Sequence, residues 1–201
     1  SKLSKKVAND LYATQMKWIA WFLPIVFIVY VAMFALLNEP EMRSMSLLTF
    51  TFQATNIFML VCGILSVLAF LPTFVKQGVT RKAYYEATVL SASFLSITIM
   101  SITAIVTFVF SLLGGFTTLF DNVILSELDA NWFVVIIVYM LISFIYYVSG
   151  WLVGIGFYLF GVLGGFGFIA IAFTLVSLTD ILWIFNTPKP IMGIFSLEIL
   201  S

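Results

Sequence analysis

Histidine is missing from this 201-residue sequence, and cysteine occurs once, at Cys62. Without them the chain has no internal disulfide and no Cys/His metal cluster. Charge is scarce as well. Nine Lys and Arg balance nine Asp and Glu, together 9% of the residues, where soluble domains carry about a quarter. So few charges leave no material for a water-facing shell. What is abundant is apolar: 63% of residues are hydrophobic and the mean hydropathy is +1.17. Bilayer hydrocarbon is the solvent that fits this composition, and there the backbone must pair within helices or in a closed barrel. Barrel strands read as alternations of about ten residues, whereas these apolar runs are continuous. The expected class is an all-α, polytopic membrane helix bundle forming one transmembrane domain over residues 1–201.

A span needs about 20 apolar residues. The runs place spans at 18–37, with Pro24 near its start, at 52–71, at 87–113, and at two sites in the uncharged stretch between Asp129 and Asp180. That stretch is too long for one crossing. Tyr147-Val148-Ser149-Gly150-Trp151 is the expected turn, giving spans at 132–147 and 152–178. Trp18, Trp21, Tyr84, Tyr85, Trp132, Tyr146, Tyr147 and Trp151 then form aromatic belts at span ends. Lys2, Lys5, Lys6, Lys17, Lys76, Arg81 and Lys82 fall on one side, against Arg43 and Lys189 on the other. The positive-inside rule makes the N-terminus cytoplasmic. No cleavable signal peptide is read, because Asp10 and Lys17 interrupt the basic start and the apolar run exceeds a signal core. Residues 180–201, broken by Pro188 and Pro190, are expected to be an external or re-entrant segment, or the approach to a sixth span.

None of the five runs so drawn contains Asp, Glu, Lys, Arg or His. Gradient-driven carriers and intramembrane enzymes need such groups, so no catalytic residue is assigned. Ser91, Ser93, Ser96, Thr98, Ser101 and Thr103 spread around the third span with no base beside them, and helix back-bonding is their expected role. Glycines 150, 154, 161 and 165 lie within about 60° on a helical wheel. They are read as a packing face, with a hinge as the second reading. Gln53 and Asn56 share a face of the second span and line either a path or a helix contact. Leu3, Val7 and Leu11 make an apolar stripe on residues 1–17, which suits an interfacial helix or an ordinary basic flank.

The most distinctive segment is Lys76-Gln77-Gly78-Val79-Thr80-Arg81-Lys82, followed by Ala83-Tyr84-Tyr85. Gly78 suits a sharp turn, and Thr80 suits the cap of a short helix carrying Arg81 and Lys82. This segment resembles the loop between spans two and three of type-two ABC exporter permeases of Gram-positive bacteria. Ser149-Gly150-Trp151-Leu152-Val153-Gly154 and Phe160-Gly161 are similar to that family's hairpin between spans four and five. The resemblance implies a surface helix, six spans, a second permease copy or homologue, and a coupling helix at Lys76–Lys82 docked on a cytoplasmic ABC ATPase. ATP and Mg would sit on that partner, with no cofactor or metal on this chain and no nucleic acid. The implied role is outward movement of an amphipathic or hydrophobic peptide or drug across a bacterial plasma membrane, including antimicrobial peptide resistance. The alternative is a non-transporting immunity or assembly protein that binds partner helices through its glycines.

Overall fold

The computed structural model describes residues 2–36, 47–112 and 132–184, and these are almost wholly helical. Helix α1 covers Lys2–Leu36, and α2 covers Leu47–Leu65. A π-helical turn at Ser66–Phe70 joins α2 to the short α3, Leu71–Lys76. Helix α4 is Arg81–Leu112, and α5 is Trp132–Ile184, interrupted at Gly161. Four helical stretches are long and apolar enough to cross a membrane: Ser4–Met33, Leu47–Lys76, Arg81–Val109 and Phe133–Ile181. Apolar side chains on all their faces account for this. Leu, Ile, Val and Phe have no water to avoid in hydrocarbon, so they line the outside as readily as the core.

Three points differ from the sequence expectation. Residues 1–17 do not form a separate element. They run straight on as the first half of α1, past Pro24, and bury Val7 and Leu11 against the start of α4. The stripe that suited a lipid surface is taken by protein, and the Leu3 side chain lies outside the described residues. Arg81 and Lys82 do not sit on a short helix of their own but open the 32-residue α4. The expected turn at Tyr147–Trp151 is continuous helix, and the break comes at Gly161 (φ 67°, ψ −157°). Gly150 does not need to turn, since it packs helix against helix. Gly161 adopts the left-handed φ that β-carbon-bearing residues avoid.

The break reverses the chain. Tyr146 and Asp180, 34 residues apart, share a hydrogen bond of 3.3 Å. On one straight helix they would stand about 51 Å apart. Phe160 stacks on Phe168 (centroids 5.7 Å) and Phe157 meets Phe166 edge-on (6.4 Å). The two arms of α5, residues 132–160 and 162–184, therefore form an antiparallel helical hairpin.

Ring contacts and hydrogen bonds fix the remaining directions. Ser4 reaches Glu86 and Tyr12 reaches Phe94, so α1 and α4 are parallel. Trp18–Phe70, Phe22–Phe58 and Tyr30–Phe50 make α2 antiparallel to α1. Phe52–Tyr139 and Asn56–Ser143 make the first arm of α5 parallel to α2. The core between them is Ile19, Met59, Cys62, Leu95, Ile99, Met100, Tyr139 and Tyr147. A second cluster, Val7, Ala8, Leu11, Val79, Ala83, Tyr84 and Ala87, closes the end that carries the basic loop.

Candidate functional site

The basic loop is short, exposed and tightly built. Gly78 takes φ 86° just past the end of α3. Val79 N–H donates to the Phe74 carbonyl and Gly78 N–H to the Val75 carbonyl, both at 3.0 Å. This is the paired hydrogen bonding of a Schellman ending, which satisfies carbonyls that a helix C-terminus leaves open. Its usual apolar contact is present too: Val79 is buried with Phe74 alongside. Thr80 caps the next helix, with Ala83 N–H donating to Thr80 Oγ1 at 3.2 Å. Between these fixed points Lys76, Gln77, Gly78, Thr80, Arg81 and Lys82 all face outward. Each element of the loop has a local cause in sequence, and the result is a basic corner held by backbone and capping hydrogen bonds.

One turn into α4, Tyr84 ties that corner to the interior. Its side chain is 1% exposed, and its hydroxyl donates to the Ser66 carbonyl at the start of the π turn. A π turn shifts carbonyls from their i+4 to their i+5 partners, and the Ser66 carbonyl accepts from Leu71 N–H as well as from Tyr84. Ser66 Oγ donates to the Gly63 carbonyl at 2.8 Å. Nearby, Gln15 Nε2 donates to Tyr147 Oη at 3.1 Å, and Ser91 Oγ donates to Gln15 Oε1 at 3.3 Å. Gln15, Ser66 and Ser91 are fully buried and Tyr147 nearly so. This polar node joins α1, α4 and the first arm of α5 beside the π turn that ends α2.

The four glycines serve different contacts. A Cβ on Gly150 would overlap the Leu60 carbonyl, and one on Gly154 would stand 2.8 Å from Val67 Cβ. From the other side, a Cβ on Gly63 would overlap the Tyr147 carbonyl. Together they bring α2 and α5 into backbone contact, the use small residues have between membrane helices. Gly161 is the reversal itself, with nothing within 4 Å of its Cβ position. Gly165 packs against Phe157 within the hairpin. Asn56 Oδ1 accepts a 3.0 Å hydrogen bond from Ser143 Oγ between α2 and α5, which makes Asn56 a helix contact. Gln53 is partly buried on the same helix.

Sequence reasoning passed over Gln15, Ser66, Tyr146, Tyr147 as a hydrogen-bonding group, and Asp180. For Gln15 the signal existed: it continues the Leu3, Val7, Leu11 spacing by four, an amide on the face that is buried. Of the serines spread along α4, Ser93 and Ser96 back-bond to carbonyls of their own helix, and Thr98 and Thr103 do the same. Ser91 instead crosses to α1.

Comparison with known proteins leaves the chain to its own geometry: no family model matches it, and no curated protein or solved structure matches it significantly.

Proposed function

We propose that this chain is a permease subunit of an ATP-driven exporter, multi-pass in a bacterial plasma membrane, with Lys76–Lys82 as its contact for a separate cytoplasmic ATPase. The observation that carries the reading is the hydrogen-bonded geometry of that loop. It is exposed and basic, held by a Schellman ending, a buried Val79 and the Thr80 cap, and continuous through Tyr84 with the π turn of α2. A flexible topology anchor needs none of these restraints. A lever that passes movement from a partner into the bundle needs all of them. The π turn is the place where such movement is absorbed, since its hydrogen bonding is already irregular.

The arms of α5 run about 43 Å and about 34 Å, each longer than a hydrocarbon core of about 30 Å. We read them as two crossings, five in all, with the N-terminus and the basic loop in the cytoplasm. A second permease copy or homologue completes the pathway, and ATP and Mg are bound by the ATPase. The rival reading, a non-transporting protein that binds partner helices through its glycines, has lost much of its surface: Gly150 and Gly154 are occupied by α2 within the chain.

Charge reversal tests the contact. Arg81→Glu with Lys82→Glu leaves the buried side of the loop untouched, so the chain is expected to reach the membrane in normal amount. Recovery of a nucleotide-hydrolysing subunit in mild-detergent purification should fall at least tenfold. Undiminished recovery with the double variant contradicts the assignment.

A further inference from the structure

Relocating the turn to Gly161 moves a carboxylate. Had the chain reversed near Gly150, Asp180 would stand about 45 Å along the second arm, clear of hydrocarbon on the far side. With the reversal at Gly161 it stands about 28 Å along and meets Tyr146. The depth follows from the register with α2. Tyr146 lies between Ser143, which bonds to Asn56, and Tyr147, whose carbonyl abuts Gly63. Asn56 and Gly63 flank the middle of the apolar stretch Leu47–Lys76. Asp180 therefore sits near mid-bundle, where an ionised group demands a partner.

Among the described residues no cation is offered to it. No Lys or Arg occurs between Lys82 and Lys189, and none between Lys17 and Lys76 except Arg43; Arg43 and Lys189 both lie outside the described residues. Tyr146 is its hydrogen-bond partner among the described residues, donating to Oδ1. A neutral donor on one oxygen orients the carboxylate and leaves Oδ2 for a charged ligand. Asp180 also keeps part of its surface open, while Tyr146 is buried beneath it.

We propose that Asp180, positioned by Tyr146, is a membrane-depth binding site for a cationic group carried on an apolar body, such as an ammonium or guanidinium. That this cation is the transported molecule rests on the exporter reading; the site itself does not. It narrows the substrate from amphipathic to cationic amphipathic, the charge seated on Asp180 and the body against the surrounding apolar side chains.

The test uses the full chain in neutral phosphatidylcholine nanodiscs, without nucleotide or partner, and tetraphenylphosphonium as a permanent lipophilic cation. Saturable binding is expected, at least tenfold weaker in Asp180→Asn, largely kept in Asp180→Glu and reduced two- to fivefold in Tyr146→Phe. Equal binding by folded Asp180→Asn overturns the site. Should that variant misfold, the unaltered chain decides: tetraphenylphosphonium should slow dicyclohexylcarbodiimide modification of Asp180, and modification at an unchanged rate overturns it. Cation binding with no ATPase partner would leave the site standing and the exporter reading without support. Loss of the site alone would leave an exporter of uncharged substrates.

Discussion

Gln15 shows what one side chain contributes in a chain so poor in polar groups. Its amide spends both ends inside the bundle, donating to Tyr147 and accepting from Ser91. Replacing it with Leu removes both bonds and leaves two buried hydroxyls to find partners among themselves. Such losses cost about 1–3 kcal/mol in water-soluble cores, and interhelical bonds in membranes average nearer about 0.6 kcal/mol each. Gln15→Leu should therefore lower stability by about 1–2 kcal/mol, measured by reversible unfolding in mixed micelles. An unchanged midpoint would mean that the node is incidental to the fold. The types of these residues were plain in the sequence, but their pairing was not. Gln15 and Tyr147 are 132 positions apart, and only the directions of α1 and α5 bring them together. Gly78 and Thr80 were legible because turn and cap are local: a left-handed φ and a first-turn N–H need only the neighbouring residues.

Between elements, α2 and the first arm of α5 come into close contact, where Gly63, Gly150 and Gly154 bring backbones together. Gly150→Leu must push the helices apart, and overpacking of this kind costs about 1–3 kcal/mol. Gly167→Leu makes the same chemical change where nothing lies within 4 Å, so it should be nearly neutral. The comparison of their thermal transitions isolates packing from hydropathy, and equal effects would contradict the close approach. The glycine spacing announced a small-residue face, yet spacing alone cannot say where that face ends. Gly161 shares the wheel position of Gly150 and Gly154 but serves to reverse the chain. The expected turn at Tyr147–Trp151 and the aromatic belt read with it fall on the wrong residues, since Tyr147 is buried and Tyr146 pairs with Asp180 instead of marking an interface. One misplaced turn was enough to hide the carboxylate, because the fifth run then ended two residues before it.

Across the whole molecule, the hairpin predicts which positions share a side. The first arm of α5 is parallel to α2 and α3, so residues near Gly161 come level with the loop after Lys76. Leu163, 89% exposed, and Gln77 should then react from the same face. In a Cys62→Ser background, Leu163→Cys and Gln77→Cys should both label with an impermeant maleimide in inside-out vesicles and not in right-side-out ones. A turn at Tyr147–Trp151 would bury position 163 in hydrocarbon and block its labelling from both faces. Helical class and membrane character were legible from composition, because a chain with 9% charged residues has no other solvent to fold in. What composition could not supply was the register of the helices, which long-range contacts fix.

Under the proposed function, energy enters this bundle through Lys76–Lys82 from a subunit that hydrolyses nucleotide. Site-specific photo-crosslinking from position 77, with benzoylphenylalanine in place of Gln77 in intact cells, addresses it directly. A docked ATPase gives a single protein adduct whose peptides include a phosphate-binding Gly-rich loop with Lys and Ser or Thr. Adducts to phospholipid alone, with no such subunit captured, would contradict it.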